Sequence, residues 1–121
     1  MGLLSFESAR AQYYDQDIDF QGTEHTGPTS AKMVVEIPNS SDVIVVGSTL
    51  ECPTCTDYDI SVTMFDASGA IVWSKLYGDQ NVTEKANAVI MGYNNDRAFV
   101  VGSIGTSPTD ALILAIEIPS G

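Results

Sequence analysis

DISVTMFDASGAIVWSKLYG, residues 59–78, is the stretch that decides the fold of this chain. Apolar and polar side chains alternate over 60–64, which is the period of a half-buried strand. Residues 66–69, Asp-Ala-Ser-Gly, supply turn chemistry, and Gly69 can take a positive φ without steric cost. Apolar residues resume at 71–73. The stretch therefore predicts two strands joined by a tight hairpin.

Short strand candidates separated by turns fill the rest of the chain from residue 17. Residues 17–22, Asp-Ile-Asp-Phe-Gln-Gly, alternate apolar and polar side chains and end at a glycine. Residues 31–37 and the apolar run 43–48 flank the turn 38–42, Pro-Asn-Ser-Ser-Asp, so they predict two adjacent strands. Together with the hairpin they predict a four-stranded meander.

An internal repeat is the most informative feature of the sequence. Four segments match a second copy downstream, once a one-residue gap is placed in a turn and one loop is shortened by four residues. The matches predict four strands per unit and a period near 50 to 56 residues, counted from this alignment. The matched pairs are 20–22 with 76–78, 33–35 with 89–91, 45–48 with 100–103, and 59–62 with 110–113.

The second unit stops before its fourth strand, and residues 17–22 align with the strand that it lacks. We therefore predict an all-β fold of two four-stranded antiparallel propeller-like blades, in which the N-terminal strand completes the last blade. The predicted segments are an N-terminal extension 1–16, a complementing strand 17–22, a first blade 31–78 and a second blade 86–121. The alternative is a monomeric β-sandwich in which all eight strands pack on each other.

A family resemblance rests on Asp59, Asp66-x-x-Gly69, Trp73, Tyr77-Gly78 and the downstream 100–103. This spacing resembles bacterial extracellular β-propeller repeats, whose pattern includes D-x-x-G-x-x-x-W-x-x-x-[YF]-G-G, over about residues 17–121. The sequence departs from that pattern at Met64, where a basic residue is usual, at Asp79, which replaces the second glycine, and in the second unit, which has no Trp. The resemblance implies a scaffold or binding surface of secreted or surface proteins, without shared catalytic residues.

The charge of the chain decides which partners to exclude. Sixteen acidic residues against five basic ones give a formal net charge of -11. The resulting field repels phosphate backbones and anionic lipid surfaces, so we expect no nucleic-acid partner. No run of 18 apolar residues occurs, so the sequence predicts no membrane-spanning helix. A length of 121 residues allows one domain with a substantial core.

Cys52 and Cys55 enclose Pro53-Thr54 in a loop that the strand pattern places between two strands. A local disulfide, two free thiols and half of a zinc site are the alternatives that this spacing leaves open. A redox dithiol usually opens a helix after a strand, which does not fit this loop. We expect a disulfide, which would place the protein outside the cytosol, as an extracellular or cell-surface protein.

Calcium is a second metal for which the sequence offers candidate ligands, because hard cations take oxygen ligands from loops. Asp57, Asp59, Asp66 and Asp110 could provide such oxygens, but no D-x-D-x-D-G pattern is present and Asp is common at turns and strand ends. We therefore expect no cofactor. His25 is the only histidine, and no nucleophile elbow accompanies it, so we also expect no enzyme.

Two aromatic residues and two asparagines complete the set of candidate sites. Tyr58 and Trp73 could stack on the apolar face of a sugar, although Trp73 in the hairpin is better explained as core. Asn39 and Asn81 begin glycosylation sequons, Asn-Ser-Ser and Asn-Val-Thr, in predicted turns.

Two blades alone cannot close a ring and would leave apolar faces and strand edges bare. We therefore expect a non-enzymatic secreted or surface repeat module that self-assembles with copies of itself, as a ring or a filament, or forms part of a larger propeller. The alternative function is a lectin-like or adhesive module that binds carbohydrate or surface proteins.

Overall fold

Seven strands make up the part of the chain, residues 29–50 and 55–118, that the computed structural model describes. The prediction of an all-β fold is confirmed, since no helix occurs within those two ranges. Correspondingly, no helix that could cross a membrane is found there. The strands are β1 Thr29–Glu36, β2 Val43–Leu50, β3 Tyr58–Phe65, β4 Ile71–Tyr77, β5 Glu84–Met91, β6 Arg97–Ile104 and β7 Asp110–Glu117.

Two antiparallel sheets are formed by strands in the order of the chain. The first sheet has the order β1-β2-β3-β4, and the second has the order β5-β6-β7. Every pairing joins strands that are consecutive in sequence, so each sheet is a meander built from local hairpins. The predicted meander of four strands is confirmed for the first sheet.

The hairpin predicted from residues 59–78 is formed by β3 and β4. Its turn is held by the Asp66 side chain, whose Oδ1 accepts hydrogen bonds from the Ser68 N–H at 2.9 Å, the Ser68 hydroxyl at 2.6 Å and the Ala70 N–H at 3.0 Å. Gly69 takes the positive φ of 86° that the turn requires. The local turn chemistry therefore fixes where the chain reverses.

The repeat is visible in the strand register. Ala31 pairs with Gly47 in the first sheet, and Ala86 pairs with Gly102 in the second, so equivalent residues lie 55 positions apart. Both ladders have a bulge one residue later, and both following turns are closed by equivalent bonds, Ile37 N–H to Asp42 O and Gly92 N–H to Arg97 O. The one-residue gap in the alignment of the repeats was therefore wrong, because the offset does not change across this turn.

The shortened loop of the second repeat is confirmed by the next pairing along each sheet. Val46 pairs with Val62 in the first sheet, and Val101 pairs with Ile113 in the second. The offset between β3 and β7 is therefore 51 positions, four fewer than the offset of the preceding strands.

Equivalent glycines lie beside the two bulges. A Cβ at Gly47 would overlap the carbonyl oxygen of Ser30, and a Cβ at Gly102 would overlap that of Lys85. Both are backbone contacts that a side chain cannot displace. The close approach of the neighbouring strand therefore requires glycine in both repeats.

The sheets pack on each other through β5, which contacts β1, β2 and β3 of the first sheet. One apolar cluster spans both sheets, and its buried members are Ile37, Ile44, Val46, Ile60, Val62, Met64, Ala86, Val89, Ala98, Val100 and Ile116. Two packed sheets agree with both the propeller-like prediction and the sandwich alternative. Residues 1–16, the complementing strand 17–22 and His25 lie outside the described residues.

Candidate association surfaces

The internal interface between the two sheets shows what a blade of this kind binds. On the first sheet it is formed by the apolar face of Ile44, Val46, Ile60 and Val62, which are all fully buried. A buried hydrogen bond crosses the interface, from the Ala86 N–H to the Ser48 Oγ at 3.2 Å. A second bond runs from the Val89 N–H to the Met33 Sδ at 3.5 Å. The interface is therefore an apolar contact whose alignment is fixed by these polar bonds.

The same face of the second sheet is bare. Ile113 is 71% exposed, whereas Val62, its equivalent in the first sheet, is 0% exposed. Val101 is 40% exposed against 0% for its equivalent Val46. We call this face the β5–β7 surface and define it by four apolar residues, Ile90, Phe99, Val101 and Ile113, of which Ile90 is exposed and Phe99 half-buried.

A second bare surface lies on the opposite side of the molecule. Val34 of β1 is 55% exposed, although its equivalent Val89 on β5 is 1% exposed in the internal interface. Ala31 and Glu36 on the same face of β1 are also exposed. We call Ala31, Val34 and Glu36 the β1 surface. The equivalent face of β5, which includes Val89, is the one that packs on the first sheet.

A groove separates the outer strands of the two sheets. It has a volume of about 380 Å³ and is lined by Leu76 and Tyr77 of β4, by Glu84 at the start of β5 and by Leu112 and Leu114 of β7. Among the described strands, β7 pairs with β6 alone, whereas its equivalent β3 also pairs with β4. The groove therefore lies beside the open edge of the second sheet. Burial beside it raises the pKa of Tyr77 above its usual value.

Two carboxylates converge on Gly78 at one end of this groove. A Cβ on Gly78 would overlap Asp59 Oδ1 and would lie 2.7 Å from Glu84 Oε2. Glu84 is buried and its Oε1 accepts a hydrogen bond from the Asp79 N–H at 3.1 Å. A side chain at position 78 would therefore require these two carboxylates to move.

The four candidate calcium ligands are not gathered into one site. Asp66 is engaged in its turn, Asp57 accepts a hydrogen bond from the Thr83 hydroxyl at 3.4 Å, and Asp110 begins β7. Within residues 29–50 and 55–118, no group of three His, Cys, Asp or Glu side chains could hold a metal ion.

Tyr58 and Trp73 lie at opposite ends of the first sheet. Trp73 pairs with Met64, which is six residues, or about 20 Å, from Tyr58 along β3. Each ring has a lysine nearby: Lys85 Nζ lies 4.8 Å from the centre of Tyr58, and Lys75 Nζ lies 5.8 Å from that of Trp73. Trp73 also packs against the core. The two rings therefore do not form one stacking surface.

Cys55 is disulfide-bonded, and Cys52, the only other cysteine of the chain, lies outside the described residues. Asn39 and Asn81 are both exposed, with φ of 64° and 63°. Thr83, the hydroxyl residue of the second sequon, is buried. Only the first sequon is therefore open on the folded surface.

Searches against protein-family models, curated proteins and solved structures found no match to this chain. The comparison within the molecule, between its two repeats, identifies residues that the sequence analysis did not select. One of them is Ser48, which forms a hydrogen bond between the two sheets. The others lie on the equivalent exposed face and are Ile90, Val101 and Ile113. The matched segments 45–48 and 100–103 already contained the signal for two of these positions, Ser48 and Val101.

Proposed function

We propose that the chain is a non-enzymatic repeat module of a secreted or surface protein that packs head to tail with copies of itself in a propeller-like arrangement. In this arrangement the β5–β7 surface of one copy receives the β1 surface of the next. One observation carries the proposal: residues that are bare on each surface are equivalent to residues that the internal interface buries.

The chemistry of the bare faces supports this assembly. Four positions of the β5–β7 surface keep a large apolar side chain: Ile90 for Val35, Phe99 for Ile44, Val101 for Val46 and Ile113 for Val62. Two others, Ile60 and Met64, have the smaller Ala111 and Ala115 as equivalents. Exposed apolar patches of this kind mark interaction sites in soluble proteins. The internal interface is therefore a template for the contact between copies.

The polar bond of the internal interface has an equivalent at the same surfaces. Ser103 corresponds to Ser48, and Ala31 corresponds to Ala86, so a Ser103 hydroxyl could accept the Ala31 N–H of the next copy. Ala31 is exposed and Ser103 is half-buried. The alignment of two copies would then follow the alignment of the two sheets.

The two surfaces differ, so the contact is heterologous and either closes into a ring or extends as a filament. Propellers have about four to eight blades, which would need about two to four copies of a two-blade unit. The fourth strand of the second blade would come from residues 17–22. The disulfide at Cys55 supports an oxidising location outside the cytosol.

The molar mass in solution tests the proposal. Size-exclusion chromatography with light scattering, over a range of concentrations, should give a multiple of the 12.9 kDa chain mass. Ile113→Asp should return the mass to that of one chain, because it places a charge in the apolar contact. Tyr93→Asp is the matched control, since Tyr93 is also a large exposed hydrophobic residue but lies in the turn after β5, on neither surface.

A wild-type mass of one chain at the highest concentration would contradict the proposal. So would an assembly whose mass is unchanged by Ile113→Asp, because the contact would then use another part of the surface.

A further inference from the structure

We infer that residues 17–22 of one copy add as a fourth strand to β7 of the copy that packs on its β1 surface. The inference rests on the proposed head-to-tail association and names the segment that locks it. The open edge of β7, with its groove, is the docking site, and the occupant is the N-terminal strand of a second copy.

The register of the first sheet defines how the strand would lie. In that sheet, Ser61 pairs with Leu76 and Thr63 pairs with Ser74. The β3-to-β7 offset makes Leu112 and Leu114 the equivalents of Ser61 and Thr63.

The alignment of 20–22 with 76–78 then fixes the partners of these two leucines on β7. Phe20 would lie opposite Leu112, and Ile18 would lie opposite Leu114.

The side-chain pattern of the segment fits that position. Ile18 and Phe20 are two residues apart, so a strand places both on one face, with Asp17, Asp19 and Gln21 on the other. Leu112 and Leu114 line the groove of about 380 Å³. Phe20 and Ile18 would therefore be directed to the groove, which needs apolar side chains to cover its leucines.

The glycine at the end of the segment has an equivalent requirement. The absence of a side chain at Gly78 leaves room for the carboxylates of Asp59 and Glu84, which occupy the space of a Cβ. Asp110 is the equivalent of Asp59, and Gly22 is the residue that aligns with Gly78. The repeat therefore retains both members of this close contact.

The connection to β1 indicates that the strand joins another copy. Residues 79–83 lead from Gly78, after the outer strand β4, to the inner strand β5 of the next sheet. Residues 23–28 would form the equivalent connection from Gly22 to β1, and they are one residue more than 79–83. By the same step, the strand 17–22 would join the second sheet of the neighbouring copy, which packs on the β1 surface.

The alternative partner is β7 of the same chain. That arrangement would run the connection backwards, from the second sheet to the first, across the end of the molecule where residues 79–83 already run forwards. Connections that cross at one end of a sheet are rare. A six-residue connection can span about 20 Å, which is more than the roughly 10 Å between packed sheets. The forward step to a neighbouring copy is therefore accessible.

Cysteine cross-linking between two differently labelled full-length chains tests the inference. One chain carries Phe20→Cys and the other carries Leu112→Cys, and the two are mixed and oxidised. A disulfide between the two chains, identified by mass spectrometry of the linked peptide, is the expected result. Gln21→Cys in place of Phe20→Cys is the control, because its side chain would lie on the opposite face of the added strand and should form no link.

The strength of association gives a second measurement. Phe20→Asp should weaken self-association at least about tenfold, because the burial of a Phe side chain is lost and a charge enters the groove. Gln21→Asp, on the other face of the strand, should leave association within about twofold of the wild type.

The failures of the inference and of the association are distinguishable. A link that forms only when both cysteines are in one chain would assign the strand to its own β7 and overturn the inference. No link from Phe20→Cys and Leu112→Cys in an assembly of normal mass would also overturn it and would leave the head-to-tail contact standing. A wild-type protein of single-chain mass would reject both.

Discussion

The two sheets have the same strand register and the same bulge, but they differ in what covers them. Val62 in the first sheet and Ile113 in the second occupy equivalent positions, and only Val62 is buried. The first sheet owes that burial to β5, which packs on it. Burial in this molecule therefore depends on the presence of a following sheet, and the second sheet has kept the apolar side chains that such a neighbour would cover.

An Asp at each of these two positions should give the largest effect on stability. The free energy of unfolding should fall at position 62 and not at the equivalent position 113. Val62→Asp would bury an unpaired carboxylate in the core, which should lower the free energy of unfolding by on the order of 3–5 kcal/mol. Ile113→Asp should change the stability of a single chain by less than about 0.5 kcal/mol, because its side chain is in water.

Urea unfolding followed by circular dichroism, at a concentration too low for association, measures both values. A loss at Ile113→Asp as large as that at Val62→Asp would mean that the β5–β7 surface is buried within one chain.

The hydrogen bond between the sheets should give an intermediate effect. Ser48→Ala leaves the buried Ala86 N–H without the acceptor that it has at 3.2 Å, which should cost about 1–3 kcal/mol of unfolding free energy. Ser103→Ala, the equivalent change in the second sheet, should leave that free energy unchanged and weaken self-association instead.

Unfolding and light scattering on both variants check this exchange of phenotypes. Loss of stability in Ser103→Ala, with association unchanged, would contradict the equivalence of the two interfaces.

The strands and the turn that the sequence predicted correctly depend on residues that are close together in the chain. The alternation at 60–64 and the turn at Asp66 involve residues that are neighbours in the chain, and both β3 and β4 are where they were expected. The repeat was recognisable because 45–48 and 100–103 are identical. The one-residue gap entered because residues 88–91 form a continuous apolar run, so 33–35 can be matched to 88–90 or to 89–91, and only the strand pairing distinguishes the two.

Contacts between sheets could not be predicted in this way. Val34 and Val89 are the same residue type in equivalent strands, and their opposite exposure is decided by which sheet lies next to them. The separation of Tyr58, at the start of β3, from Trp73, on β4 near the turn, follows from the predicted hairpin and not from contacts between sheets. The association surfaces consist of residues that are exposed although their equivalents in the other repeat are buried, and the sequence carries no sign of that difference.

A substitution in the turn at Asp66 should have the smallest effect on stability. The pH dependence of that effect should distinguish the two repeats. Hydrogen bonds from the Ser68 hydroxyl and the Ala70 N–H hold the pKa of Asp66 below its usual value of 3.8. A carboxylate with a lowered pKa in the folded state stabilises the fold above the unfolded pKa, and this stabilisation is lost as the pH falls through the folded pKa. Asp66→Asn should therefore be less stable than the wild type at pH 6, and the difference should shrink towards pH 3.

Glu117, the equivalent of Asp66 at the end of β7, is the matched position. It is exposed, and its Oε1 lies 3.8 Å from Arg97 Nη2. Exposed ion pairs of this kind contribute little, so Glu117→Gln should show a smaller difference from the wild type at pH 6 than Asp66→Asn does. Urea titrations of the three proteins at both pH values measure this, since the other carboxylates titrate alike in each. An equal pH dependence in the two variants would mean that the Asp66 turn does not distinguish the first hairpin from the end of the second repeat.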